Sequence, residues 1–341
     1  MAKTLRGEAD LLHGPVLQNM LRFALPILAG TLLQQLYSMV DAVVVGQFVG
    51  KEALAAVGGS AVAIINLLLN FFVGLCSGAA IVVAQYYGAH DRENVSRAVH
   101  TATLLAVWVG AIMTVIGVCF APGLLSALDT PEDTMQYSTD YMRWYFAGMI
   151  PTMIYNMGSG ILRGMGDSRW PLIFLIFCSV MNVVLDLVFV IYLNMGVAGV
   201  AWATLISQCS SAVLVLLRIH LGRYAVRIQF RHLGIKKESL MHILRLGLPS
   251  GIQEMAYSAG MMVVQSFTNG FGSDFIAANS IIMKVDGFAV MPMMGLGSAI
   301  ATFVGQNMGA GKLERTKKGI RAATAMVTGI GLVMGVLFLL F

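Results

Sequence analysis

Long apolar runs dominate the chain, separated by short polar stretches. Nine stand out, near residues 16–46, 53–84, 100–126, 140–162, 170–193, 197–219, 242–268, 275–305 and 322–341. Crossing about 30 Å of hydrocarbon takes roughly 20 helical residues, so each run can span a bilayer. The longest must tilt, kink or project into water. No stretch alternates polar and apolar residues with period two, which argues against a lipid-facing barrel. The pattern predicts an all-α integral membrane protein, a polytopic bundle of about nine transmembrane helices.

Composition agrees. Charged residues are 11% of the chain and hydrophobic ones 57%, whereas soluble domains run near 25% charged. Such a chain cannot furnish a water-facing exterior. Cys76, Cys119, Cys178 and Cys209 all lie inside apolar runs without CxxC or zinc spacing, and read as small buried apolar residues. The first apolar run follows a polar stretch of more than a dozen residues, so no cleavable signal peptide is expected. The six histidines are scattered and offer no metal-ligand cluster. No cofactor is expected.

Basic residues orient the bundle. With the N-terminus inside, the inner segments hold Lys3, Arg6, Arg22, Arg92, Arg97, Arg163 and Arg169, the 218–245 connection seven more, and the 312–321 stretch five. The outer side keeps Lys51 and Arg143. This positive-inside bias predicts a multi-pass protein of the cell (inner or plasma) membrane with a cytoplasmic N-terminus. The net charge of +5 then reflects topology and contact with anionic inner-leaflet lipid, and no nucleic-acid partner is expected.

The chain also repeats itself. RFALP (22–26) matches RLGLP (245–249) at an offset of 223, and AQYYGA (84–89) matches GQNMGA (305–310) at an offset of 221. Gly74 matches Gly295 at that second offset, and the charged stretches DRENVSR and KLERTKK follow the two copies. An even number of helices separates the copies, so both face the membrane the same way, as in a parallel repeat about the membrane normal. The expected organisation is two pseudo-symmetric six-helix lobes: residues 1–217, a cytoplasmic linker at 218–241, and a second lobe at 242–341. Six helices per lobe would make twelve, so the second lobe is expected to be incomplete, three helices short.

Three stretches carry a family resemblance: MVDAVVVGQFVGKEALAAVG (39–58), LRGMGDSRWP (162–171) and NMGVAGVAWATLISQ (194–208). They resemble the MATE (multidrug and toxic compound extrusion) transporters, most nearly the bacterial and archaeal branch similar to the DNA-damage-inducible transporters. The resemblance implies a twelve-helix, two-lobe antiporter that exports amphipathic organic cations in exchange for H⁺ or Na⁺, with a monomer as the expected state.

Ionisable residues within hydrocarbon are costly unless they face a partner or a cavity, which makes each one a site candidate. Five stand out: Asp41, Asp186, Glu254, Lys284 and Asp286. Counting ~1.5 Å per residue places Asp41, Asp186 and Thr204 in one outer-half layer, and Asn182 shares a helix face with Asp186. Two carboxylates with an amide and a hydroxyl form a hard oxygen set suited to Na⁺ or a shared proton. Mutual satisfaction between helices would account for Asn182 and Thr204 alone, but two adjacent carboxylates repel unless a proton or cation intervenes. In the resembled branch, matching residues form the cation site, so the resemblance assigns Asp41, Asn182, Asp186 and Thr204 to ion coupling.

Pro26 and Pro249 occupy equivalent places in the repeats, each inside a helical run, where proline removes a backbone hydrogen bond. A static kink and a hinge are both open; the resemblance favours a hinge at Pro26. Glu254, Lys284 and Asp286 are secondary substrate or coupling candidates, with a structural Glu254–Lys284 pair the alternative. Among the 23 methionines, Met283, Met291, Met293 and Met294 cluster, as an adaptable cavity or ordinary packing would use them. A flippase for lipid-linked precursors is the runner-up function, disfavoured because Lys284 alone reads as a buried cation. An intramembrane enzyme is disfavoured because no nucleophile–base or metal constellation appears.

Overall fold

Polar first turns let several helices begin well before their apolar runs. Asp91 caps one such helix, accepting from the Asn94 backbone N–H at 3.0 Å. That bond and the one from the Asn94 side chain hold the Asp91 carboxyl below the usual carboxylate range. The helix therefore starts at Arg92, eight residues before hydropathy alone would place it.

The structure, a computed structural model, describes residues 10–340 apart from 45, 48–59, 129, 131, 223, 225, 227, 229–232 and 270–272. The side chains of Asp41, Lys284 and Asp286 also lie outside the described set. The helices are α1 (Val16–Val44), α2 (Ser60–Gly88), α3 (Arg92–Ser126), α4 (Glu132–Ala147), α5 (Met149–Gly164), α6 (Arg169–Leu187), α7 (Gly196–Leu221), α8 (Lys237–Asn269), α9 (Ser273–Gly309) and α10 (Leu313–Leu340). A π-helical turn, Val188–Tyr192, continues α6. Among the described residues there is no strand. Six helices, α1, α2, α3, α6 with its π turn, α7 and α10, are long and apolar enough to cross a membrane.

The fourth apolar run is two helices rather than one. Gly148 breaks it between α4 and α5. Pro151 follows in the first turn of α5, where a missing N–H costs little. Elsewhere proline is absorbed: α1 runs through Pro26 and α8 through Pro249.

Helix α2 lies at the centre, packed on α8, α9, α5 and α3, while α1 packs on α6, α9 and α10. Glycine allows the close approaches. A Cβ on Gly74 would lie 2.5 Å from the Gly251 Cα, and one on Gly78 would strike Gly247, so α2 and α8 meet backbone to backbone. The repeats meet reciprocally. A Cβ on Gly88 would strike the Gln306 carbonyl, and one on Gly309 would strike the Gln85 carbonyl.

The turns after the two copies are superposable in their hydrogen bonds. Ala89, His90 and Asp91 donate to Gln85, Tyr87 and Tyr86; Ala310, Gly311 and Lys312 donate to Gln306, Met308 and Asn307. His90 and Gly311 both take left-handed φ, 57° and 69°, a common way to end a helix.

Two of the four cysteines correct the expectation of burial. Cys76 and Cys178 are buried, but Cys119 and Cys209 are exposed on the outside of the bundle. That outside is apolar, with Tyr192, Phe267, Leu332 and Leu339 among the exposed side chains, the surface a bilayer covers.

Candidate functional site

Helix α6 carries a deeply buried polar pair. Asp186 is 0% and Asn182 2% exposed, one turn apart on one face. Apart from Arg169 at its start and Ser179, the rest of α6, RWPLIFLIFCSVMNVVLDL, is apolar, so the helix enters hydrocarbon and the pair turns toward its neighbours α1 and α7. Neither the amide nitrogen nor the oxygen of Asn182 has a hydrogen-bond partner among the described residues. Directly after Asp186 the helix widens into the π turn, a deformation that often accompanies functional residues.

The other two expected coupling residues stand differently. Asp41 falls near the end of α1, and its side chain lies outside the described residues. Thr204 is partly buried on α7, and its hydroxyl donates to the Val200 carbonyl at 2.9 Å. It lines a cleft at the α4–α5 break with Tyr141, Trp144, Tyr145 and Gln208. Trp144 and Trp202 approach to 5.1 Å between ring centroids. Sequence reading missed these aromatics, because only the break at Gly148 gathers them.

Pro26 lines a second cavity, between α1, α5 and α6, with about 90 Å³ of space for water. Arg163 faces into it from the last turn of α5 with Gln34, Tyr155, Asn156, Ser159 and Ser168. Arg163 was expected in an inner loop, and Lys284 alone was read as a buried cation. In the structure Arg163 is partly buried and lines the cavity, because α1 and α6 cover the end of α5. Lys284 and Asp286 lie on α9 with side chains outside the described residues, so the expected Glu254–Lys284 pair lies outside them too. Glu254 is partly buried on α8, and its backbone carbonyl accepts from Ser258, whose hydroxyl accepts from Asn70 of α2. Of the methionine cluster, Met291 is buried and Met294 exposed.

The loop LRGMGDSRWP folds as a latch. Gly166 takes a φ of +91°, which glycine adopts at no steric cost. Asp167 is buried and accepts from the Tyr224 hydroxyl at 2.6 Å. The Arg218 guanidinium stacks 4.2 Å over the Trp170 ring, with Nη2 3.9 Å from Asp167. Burial, and then the hydrogen bond to the Asp167 carboxylate, push the Tyr224 hydroxyl above the ordinary tyrosine range, so it stays a donor. From α9, the Gln306 side chain donates to the Gly164 carbonyl at 2.9 Å. The segment before α1 is held as well: Arg315 donates to the carbonyls of Leu11, His13 and Gly14, and Asn307 to that of Leu11.

Comparison with known proteins agrees with this architecture. The MatE family model matches the chain in two segments, residues 26–188 and 249–341, which begin on Pro26 and Pro249. The probable multidrug resistance protein YoeA of Bacillus subtilis (strain 168) is 32% identical over 96% of this chain and 72% of its own length. The probable multidrug resistance protein YpnP of the same organism is 30% identical over 90% of this chain and 68% of its length. Among solved structures, the outward-facing conformation of a multidrug resistance MATE family transporter of the MOP superfamily superposes with a TM-score of 0.91. It is 26% identical, and the match covers 99% of this chain and 75% of that one.

Proposed function

The chain belongs to the MATE family of multi-pass membrane transporters, and on that premise we propose that it exports amphipathic organic cations in exchange for H⁺ or Na⁺. It is a transporter, not an enzyme. The observation that carries the coupling role is the Asn182–Asp186 pair, buried on one face of α6. A carboxylate removed from water is stable only when a proton, a cation or a hydrogen-bonded partner offsets it. With Asp41 and Thr204 taken as the other two members, Asp186 and Asn182 make an oxygen set that can take up either ion and release it when the helices rearrange. Tyr141, Trp144 and Tyr145 beside Thr204 offer ring faces that can attract a cation.

Transport by such a site requires two lobes that rock against each other. We take residues 1–217 and 242–341 as those lobes, joined by the 218–241 linker. The reciprocal contacts Gly88–Gln306 and Gly309–Gln85 support this division, as do the family-model segments beginning on the paired prolines. Pro26 acts as the hinge of α1, and the protein works as a monomer in the cell membrane with its N-terminus in the cytoplasm. A flippase for lipid-linked precursors would need several cations in one cavity; among the described residues the Pro26 cavity presents one, Arg163.

Ethidium efflux from energised vesicles carrying the full-length protein, with the proton and sodium gradients collapsed separately, tests the proposal. Export should stop when one of the two gradients is removed. Efflux that survives collapse of both would overturn ion-coupled export.

A further inference from the structure

We infer that the cavity between α1, α5 and α6 is an oxyanion site, in which Arg163 receives a phosphate or carboxylate group. The inference concerns binding alone and stands apart from the export reading.

Arg163 lacks the partners that usually explain a buried arginine. Among the described residues its guanidinium makes no ion pair and no hydrogen bond to a side chain or carbonyl. It does not cap the carbonyls of its own helix end, as a basic residue in a last turn otherwise can. The titratable groups that act on it are Tyr155 and Cys76, neither of them a carboxylate. The acid nearest in sequence, Asp167, is already engaged by Tyr224, by the backbone N–H groups of Arg169 and Trp170, and by Arg218. Arg218, not Arg163, is the arginine that pairs with Asp167.

The cavity around Arg163 is furnished for a polar ligand. Gln34 of α1, Asn156 and Ser159 of α5, and Ser168 before α6 share its wall. Ser159 stands one turn before Arg163 on the same face. It is 3% exposed, and its hydroxyl has no hydrogen-bond partner among the described residues. Space for about 90 Å³ of water exceeds what a single water needs and accommodates one oxyanion head. A guanidinium presents a planar fork of donors that matches the paired oxygens of phosphate or carboxylate, and a half-buried cation with no described acid against it leaves that fork open to an anion. With Arg163 as the charge and Ser159 as a further donor, the ligand class is a phosphate ester or carboxylate. Its source is either a lipid headgroup or a soluble anion.

The test is the thermal midpoint of the purified full chain in a neutral detergent, titrated separately with phenyl phosphate and with dispersed phosphatidylglycerol. Phenyltrimethylammonium at matched ionic strength is the control. A saturable rise of a few degrees is expected with at least one anion and not with the control. A response to phosphatidylglycerol alone assigns a lipid headgroup; a response to phenyl phosphate assigns a soluble anion. Arg163→Gln should abolish the rise, and Arg163→Lys should retain it with several-fold weaker apparent affinity. Should Arg163→Gln fail to fold, Ser159→Ala should shift the midpoint of the titration several-fold. No rise with either anion overturns the site, as does an unchanged titration in Arg163→Gln or, in its place, Ser159→Ala.

Discussion

At the scale of single residues, burial separates roles that the sequence leaves mixed. Asn182 and Asp186 lie four apart in an apolar helix, so their shared face was legible from spacing alone. That Asn182 finds no described hydrogen-bond partner was not, since it depends on what α1 and α7 bring against α6. Asp186→Asn should abolish gradient-driven ethidium export while expression and membrane insertion stay near normal; export retained in that variant removes Asp186 from the coupling mechanism. Asn182→Leu discriminates between ion binding and polar packing. Replacing an amide without a described partner should leave stability within about 1 kcal/mol of the parent, or raise it, and yet weaken the dependence of export on the ion gradient. A melting point that falls steeply with unaltered transport would assign Asn182 to packing instead.

At the scale of elements, glycine faces and prolines carry the argument. Gly78 meets Gly247 backbone to backbone across the α2–α8 contact, where no side chain can move aside. Gly78→Leu should cost about 1–3 kcal/mol or more in thermal unfolding of the purified protein. Gly297→Ala on α9, where a Cβ would meet nothing within 4 Å, should be neutral or stabilising by roughly 0.5–1 kcal/mol. Equal effects from the two would contradict the close α2–α8 approach. The hinge belongs to this scale too. If α1 bends at Pro26, a spin-label pair near Asp41 and on α6 should change its separation with pH, and Pro26→Ala should blunt that change. A separation that ignores pH rejects the hinge.

At the scale of the whole molecule, the two copies of the repeat touch each other reciprocally. Residues at matching offsets touch each other in both directions, as Gly88 with Gln306 and Gly309 with Gln85 do. Hydrogen bonds join distant parts of the chain at one end of the bundle, through Gln306 with Gly164 and Arg315 with residues 11–14. Described basic residues such as Arg218, Lys312 and Arg315 lie at that same end, which the proposed topology turns to the cytoplasm. In a cysteine-free background, Phe230→Cys should be labelled by an impermeant maleimide only from the cytoplasmic side, and Glu132→Cys only from outside. The reverse pattern would invert the topology.

Helix class, the placing of the apolar runs, the duplication and the family were all determined by the sequence itself, because each rests on local composition or on residues at fixed spacing. A long apolar run is read from composition whatever its neighbours do, and a repeated turn such as 85–91 and 306–312 carries its own hydrogen-bond chemistry. Tertiary structure decided the rest. The split at Gly148 was not read from the sequence, where 140–162 forms one apolar run, and the aromatic cleft beside it needs α7 to close it. The cation in the Pro26 cavity was invisible to hydropathy, which puts an arginine at a helix end into water. Arg163 is partly buried because α1 and α6 fold over it while Arg218 holds Asp167. Whether a charge is solvated, paired or poised for a ligand depends on every element packed around it, and those elements come from positions far apart in the chain.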